Sequence, residues 1–400
     1  MKFLIIVETY VPHICGITSV NRYMAEGLVA KGHEVIVVTP NCVETKVLQE
    51  TIKGVNIYRF NIYRNILKKP CGEKRRFINF VESVNADIVV FECINSLTTE
   101  ILWKHISKIK GLKILHNHGD DFISMKMFVK RYNLKYTLGN TYAYILRWYQ
   151  RTFFYGKCIR QCDAAICLSK VASDLPLLQR YAKKIYILEN AADDIFFDAF
   201  NVQDSNTFDL DIRFEKYIIN IANYQKVKNQ ELIIRAYLEA TATENYSLVL
   251  IGGHKNDYYN YLQQIIATEL PPNKDIIMLT GIERKKLPLI LKNAKVFVAG
   301  SEIEQYSISL IEAMSLGIPF VSTNVGNAKV LPGGITVERG SELSQAIDKV
   351  LSDKHLYNKL SENGLQYANA HCKESIAVTN LLNIVKELQQ SNLDKSEFKI

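Results

Sequence analysis

The feature that most constrains this chain is a regular alternation of short, continuous apolar runs with helix-patterned segments. Phe3–Val7 is the first run. A loop through Gly16 follows, then a helix pattern from about Ser19 to Lys31, then the run Val35–Thr39. Apolar, β-branched runs without polar alternation are the mark of strands buried on both faces, as in parallel sheets. Gly32 follows the helix pattern, where a C-terminal cap belongs. The beat continues through Val55–Phe60, Ile88–Glu92, Lys113–His116, Ala164–Leu168 and Lys184–Leu188. It predicts repeated βαβ units and an α/β, doubly wound sheet.

The beat then breaks. Residues 191–216 are polar and rich in aspartate, including Asp198, Asp204, Asp209 and Asp211. It restarts at Tyr217–Ile221 and runs on through Ser247–Ile251, Ile276–Thr280, Val296–Ala299 and Pro319–Thr323, with helix patterns between these runs. A last helical stretch, about Ser375 to Gln390, has no strand after it. With 400 residues the chain has room for two domains. The expected division is a Rossmann-like domain over 1–195 that includes the terminal helix 375–400, a linker over 196–216, and a second Rossmann-like domain over 217–374. A crevice is expected between the two.

Composition narrows the setting. Hydrophobic content of 48% and charged content of 22% are ordinary for a globular protein. The net charge of +8 points to an anionic partner. Eight scattered cysteines without C-x-x-C spacing fit a reducing cytoplasm better than a disulfide framework. The opening apolar run ends at Glu8, too soon for a signal peptide core. Nothing approaches the roughly 20 apolar residues of a membrane span. The expected location is therefore cytoplasmic, either soluble or peripheral on the inner face of the plasma membrane.

The chemistry concentrates between Lys295 and Met314. The strand Val296–Ala299 runs into a polar turn holding Glu304, and a helix starting near Ser307 carries Glu312. In open α/β sheets, ligands bind at this edge, outside the C-terminal ends of strands. A helix N-terminus there offers unpaired N–H groups and partial positive charge to a phosphate. Carboxylates cannot bind the same phosphate, so they must accept hydrogen bonds from hydroxyls. A phosphate flanked by two hydroxyl-bearing rings describes a nucleotide sugar.

Other segments support that reading less sharply. The loop Pro12–Ser19 has Gly16 but no G-x-G-x-x-G, which disfavours a dinucleotide dehydrogenase. His116, His118 and Asp120 follow a strand; a single His contacting substrate, a structural His and a metal site are all open there. Asn223, Lys226 and Lys228 follow the second half's first strand, where a Lys ammonium neutralises a diphosphate or simply sits solvated. The triplet Asp209-Leu210-Asp211 follows no strand and reads as solvated charge rather than a cation site. Residues 122–162 contain no Asp or Glu but many Lys, Arg, Tyr, Phe and Trp, and 59–76 is a second basic stretch. Such segments suit an anionic membrane interface. A partly buried insert is the plainer alternative, and a nucleic-acid partner is not expected.

Taken in order, these residues resemble a retaining glycosyltransferase of the GT-B fold, family 4, over essentially the whole chain. Glu304 through Glu312 matches that family's E-x7-E motif and is followed by Ala313-Met314-Ser315-Leu316-Gly317-Ile318-Pro319. The resemblance implies two Rossmann-like domains facing each other across a cleft, the N-terminal one binding the acceptor and the C-terminal one the nucleotide-sugar donor, with the terminal helix crossing back to the first. It implies a catalytic set of Glu304, His118 and Lys228. Glu304 would meet the donor sugar, Glu312 the ribose, Lys228 the diphosphate and His118 the transferred sugar. Gly16, Asn223, Gly281, Ile282, Tyr306, Ser307 and Ile308 would complete the donor site. The family usually has Arg where this chain has Asn223, and Gly-Gly where it has Cys15-Gly16. The implied reaction is metal-independent transfer from a UDP- or GDP-sugar to a glycan or lipid-linked acceptor in cell-envelope polysaccharide synthesis, with no cofactor beyond that donor. A nucleotide-sugar epimerase or hydrolase, or a non-catalytic nucleotide-sugar-binding protein, would use the same residues.

Overall fold

The structure is a computed structural model that describes residues 1–13, 15–42, 47–119, 141, 145–199, 216–338 and 340–397. It divides into two compact units: Met1–Asn190 with Glu374–Ile400, and Ala191–Lys373.

The first unit is built on β1 (Lys2–Ile6), β2 (Glu34–Pro40), β3 (Gln49–Ile52), β4 (Val55–Phe60), β7 (Ile88–Glu92), β8 (Leu112–His116), β9 (Ala164–Cys167) and β10 (Ile185–Ile187). Their order is β10-β9-β8-β7-β1-β2-β4-β3. Every pairing is parallel except β3 on β4. A separate antiparallel hairpin joins β5 (Ile62–Arg64) to β6 (Pro70–Gly72). The central strands are apolar along their length because helices cover both faces: Phe3, Leu4, Ile6, Val37, Val38, Val89 and Phe91 are buried. β3 has no apolar run. It is an edge strand, and its pairing with β4 rather than its composition makes it extended.

The terminal helix Glu374–Glu397 belongs to this unit. It packs on the helix Gly16–Ala30 at close range. A Cβ placed on Gly27 would lie 2.5 Å from Val378 Cγ2, so glycine is what lets the two helices approach. Arg22 reaches Glu374 at 3.4 Å beside that contact.

The second unit holds β11 (Tyr217–Ile221), β12 (Ser247–Gly252), β13 (Ile276–Thr280), β14 (Val296–Ala299), β15 (Phe320–Thr323) and β16 (Gly334–Val337). The order is β13-β12-β11-β14-β15-β16, all parallel. The chain winds outward from β11 to β13, then returns to β14 and winds the other way. That reversal puts the topological switch point between β11 and β14. In the first sheet the corresponding reversal lies between β1 and β7. The short helix Asp194–Asp198, at the edge of the acidic stretch, carries the buried Phe196 and packs within the second unit. The Asp209–Asp211 triplet and Asp120 lie outside the described residues.

Candidate active site

In the second unit, the switch point brings together the loops after β11 and β14. Lys228 ends the 3-10 turn Lys226–Lys228 that follows β11, and Glu304 lies in the turn after β14. Lys228 Nζ donates to Glu304 Oε2. The two loops are also tied through their backbones, since the Glu302 N–H donates to Val227 O at 2.9 Å. Gly326, with φ of 55°, supports the carboxylate loop from the other side. A Cβ there would lie 2.8 Å from Glu304 O and 3.0 Å from Gln305 O. The Lys228–Glu304 pair is thus placed by three segments, after β11, β14 and β15.

The helix Ile308–Ser315 begins just beyond, with Ser307 as its N-cap. The Ser307 N–H donates to Asn327 Oδ1 at 2.7 Å. Backbone donors without intrahelical acceptors therefore begin at Ile308 and Ser309. Tyr306 is buried beneath the same turn. Glu312 is almost fully buried, and its Oε1 accepts from Arg284 Nη2. Burial pushes the Glu312 carboxyl up from the usual range, and Arg284 opposes that rise. Arg284 is itself oriented: its guanidinium lies 4.8 Å from the Phe196 ring centroid and its Nε is 3.8 Å from Asp193.

The remaining expected donor residues line the same strand-end edge. Asn223 and Lys226 are exposed in the loop after β11. Gly281 follows β13 with φ of 71°, and its N–H donates to Gly253 O after β12 at 3.1 Å. Ile282 beside it is half-buried.

In the first unit, Gly16 is the exposed first residue of the helix that follows β1. His118 lies just beyond β8, at the strand-end edge. The parallel register sets Glu92, the last residue of β7, beside His116, the last of β8. Glu92 Oε1 lies 3.1 Å from His116 Nδ1, and Oε2 lies 2.7 Å from His118 Nε2. All three side chains are buried. Burial alone would raise Glu92, but the neighbouring His116 and the hydrogen bonds from both imidazoles outweigh it and bring the carboxyl down to about 2. Burial, reinforced by His116, lowers His118 and favours its neutral form. His116 Nε2 is buried without a hydrogen-bond partner among the described residues. One ligand atom from each of Glu92, His116 and His118 lies within 4.8 Å of the others, a donor set able to hold a metal ion.

Sequence reasoning missed Arg284 and Glu92. Arg284 sits in the run Arg284-Lys285-Lys286, which reads as a solvated helix start. Glu92 reads only as the polar end of a strand. Its tie to His116 could have been sought by aligning the ends of β7 and β8.

Comparison with known proteins places both units among glycosyltransferases. Residues 14–194 match the family described as Glycosyltransferase Family 4, and residues 203–367 match Glycosyl transferases group 1. A relative from Methanocaldococcus jannaschii, uncharacterized glycosyltransferase MJ1607, is 24% identical over 88% of this chain and 90% of its own length. Sucrose-phosphate synthase from Thermosynechococcus elongatus superposes with a TM-score of 0.73 at 15% identity, covering 98% of this chain and 99% of that one. Anabaena HepE in complex with UDP-glucose gives a TM-score of 0.64 at 14% identity, covering 97% and 100%. Other matches are partial. The chain matches 9% of the length of sucrose-phosphate synthase 1 from Arabidopsis thaliana, at 34% identity, and 42% of the putative glycosyltransferase YtcC from Bacillus subtilis. With one family match on each unit, the chain belongs to the GT-B glycosyltransferases of the family 4 type.

Among the described residues, no helix is long and apolar enough to cross a membrane.

Proposed function

We propose that this protein transfers a sugar from a nucleoside-diphosphate sugar, a UDP- or GDP-sugar, to a hydroxyl of a glycan or lipid-linked acceptor, with retention of anomeric configuration. The observation that carries the reading is the Lys228–Glu304 pair at the switch point of the second sheet, beside the start of the helix Ile308–Ser315. A cation and a carboxylate side by side suit a ligand that is phosphate at one end and polyol at the other.

Each group then has a task. Lys228 and the N–H groups of Ile308 and Ser309 meet the diphosphate, whose charge grows as the glycosidic C–O bond breaks. Lys228 pairs with Glu304, and on donor binding the phosphate takes the carboxylate's place at the ammonium. Freed from the ammonium, Glu304 accepts hydrogen bonds from the donor sugar's hydroxyls. Glu312, steered by Arg284, accepts from the ribose diol. Asn223 and Lys226 border the phosphates, and Gly281 and Ile282 border the base. The acceptor hydroxyl attacks the anomeric carbon on the face the diphosphate leaves. The new C–O bond forms as the old one breaks, and the hydroxyl proton passes to the departing phosphate oxygen.

On the first unit, Glu92 holds neutral His118 by its Nε2 and so fixes the imidazole that contacts the transferred sugar. Charge stabilisation by Lys228 and the helix start makes transfer metal-independent in this reading. The setting is cell-envelope polysaccharide synthesis on the cytoplasmic side, with basic segments 59–76 and 122–162 facing an anionic membrane. The test follows release of nucleoside diphosphate from a panel of UDP- and GDP-sugars, with and without acceptor and with and without EDTA. Acceptor-dependent release that survives EDTA and is lost in Glu304→Ala supports the proposal. Release equal without acceptor favours hydrolysis or epimerisation instead. Loss with EDTA and recovery with a divalent cation overturns metal independence and directs attention to Glu92, His116 and His118.

A further inference from the structure

A cavity of about 430 Å³ opens in the first unit, apart from the loops described above. Its apolar wall is Ile78, Ile101, Trp103, Leu146, Tyr149 and Phe154. Trp103 stacks on Phe154 with centroids 5.5 Å apart and an interplanar angle of 18°. Tyr149 meets Phe154 at 5.5 Å. This is an ordered aromatic wall, and its volume falls in the roughly 300–1,000 Å³ range of small-ligand sites. The Trp103 indole N–H is buried and has no hydrogen-bond partner among the described residues. Lys74 and Lys104 also line the cavity. Both are exposed, and neither has an ion-pair partner among the described residues.

Exposed apolar and basic side chains surround the cavity. Glu100 links the parts: it accepts from Arg64 of β5 and, at 3.2 Å, from Gln150 Nε2. Arg64 also donates to Lys68 O at 3.2 Å, and Lys68 N to Asn65 O at 2.8 Å, so the β5–β6 turn is held in shape. At its tip Ile66 is 98% exposed and Leu67 is exposed with it, followed by exposed Lys68 and Lys69. Trp148, Tyr149 and Phe153, on the helical segment that walls the cavity, are exposed as well. Exposed apolar residues side by side with unpaired cations are the pattern of an interfacial surface facing anionic lipid. Adjacent Ile66 and Leu67, held out at the tip of a braced turn, form an exposed apolar patch of the kind that marks an interaction surface.

We propose that this cavity takes one hydrocarbon chain of an anionic phospholipid, with Lys74 and Lys104 at the lipid phosphate and Ile66 and Leu67 inserted in the bilayer beside it. The inference rests on the proposed membrane-facing role of segment 59–76 and names the site and ligand class within it. One wall, with Glu100 and Ile101, is the helix Leu97–Leu102, which leaves β7 at the switch point of the first sheet. A lipid seated there is held on the unit that the family resemblance implies for the acceptor.

The chain has only two tryptophans, Trp103 and Trp148, and both report on this surface. The full-length Trp148→Phe protein leaves Trp103 alone. It is mixed with vesicles of phosphatidylglycerol brominated on one acyl chain, and in parallel with brominated phosphatidylcholine. Expected is strong quenching of Trp103 on the anionic vesicles, little on the zwitterionic ones, and about a tenfold weaker vesicle binding for Ile66→Asp/Leu67→Asp. Lys74→Glu/Lys104→Glu should remove the preference for anionic lipid. All four substituted positions are exposed, so circular dichroism of these variants should match the parent. Vesicle binding without Trp103 quenching overturns the cavity assignment, and no vesicle binding overturns the membrane surface too. Nucleotide-sugar binding, measured on the same samples, tests the glycosyl-transfer reading separately, because it needs no lipid.

Discussion

Glu92→Gln keeps the shape of the side chain and removes its charge from the buried trio with His116 and His118. Holding a carboxyl at about 2 rather than 4.5 corresponds to about 3 kcal/mol in favour of the ionised form. The substitution imposes the uncharged form, and it also sets an amide N–H₂ against one of the imidazoles. A loss on the order of that 3 kcal/mol is expected, the amide mismatch leaving a buried hydrogen-bonding group unsatisfied. For a unit of this size, each kcal/mol moves the melting midpoint by about 2–4 °C, so the first unit's transition should fall by about 6–12 °C. The sign with pH is fixed by the lowered carboxyl. The deficit of the variant is fully present above the unfolded value of 4.5 and shrinks as pH falls toward about 2. Calorimetry at neutral pH, paired with nucleotide-sugar binding, is the assay. Nucleotide-sugar binding should change little, because Lys228, Glu304 and Glu312 lie on the other unit, while acceptor-dependent transfer falls as His118 loses its anchor. A midpoint unchanged in Glu92→Gln would refute the reasoning, since the trio would then carry no net charge stabilisation.

Further outcomes follow from the same geometry. His118 is lowered by burial, so the unfolded chain binds a proton that the folded one refuses; stability should drop as pH falls below about 6.5, and His118→Asn should flatten that slope in urea titrations. Gly326→Ala places a Cβ against Glu304 O and Gln305 O at a left-handed position, and should cost about 1–3 kcal/mol in thermal unfolding while weakening the donor site. Glu312→Gln removes a carboxylate that burial already pushes toward its neutral form, so stability should change by less than about 1 kcal/mol, while nucleotide-sugar affinity falls about tenfold by calorimetric titration. Asn223→Arg adds a cation at the exposed phosphate edge and should tighten donor binding by a few-fold, about 1 kcal/mol, with the gain fading as salt rises.

Most of the sheet architecture was legible because buried parallel strands write themselves as continuous apolar runs. Phe3–Val7 and Val35–Thr39 needed no tertiary information. Gln49–Ile52 was not legible, because an edge strand needs only a partner, and β4 supplies it through pairing the sequence does not announce. The hairpin Ile62–Gly72 was hidden for a related reason: its lysines and arginines read as a charge run, while the fold uses Arg64 to brace the turn. At the candidate site, the meeting of Lys228 and Glu304 was legible because the loops after β11 and β14 adjoin at the switch point. Arg284 was not, since three consecutive basic residues look alike until Phe196 and Asp193 orient one of them. Glu92 escaped because its meaning lies in strand register, where the ends of β7 and β8 bring a carboxylate against two imidazoles 24 and 26 residues away.

The central claim is that Lys228 and Glu304 form the phosphate-to-sugar junction of a nucleotide-sugar site. Its most direct test is thermal stabilisation of the full-length protein by UDP- and GDP-sugars, compared with Lys228→Ala and Glu304→Ala. At about 100 times its Kd, the correct donor should stabilise the second unit by about 2.7 kcal/mol. Lys228→Ala should lose the response to both the sugar nucleotide and the free nucleoside diphosphate. Glu304→Ala should keep the response to the diphosphate and lose the extra increment from the sugar. Equal stabilisation of all three proteins, or none by any nucleotide sugar, would contradict the account.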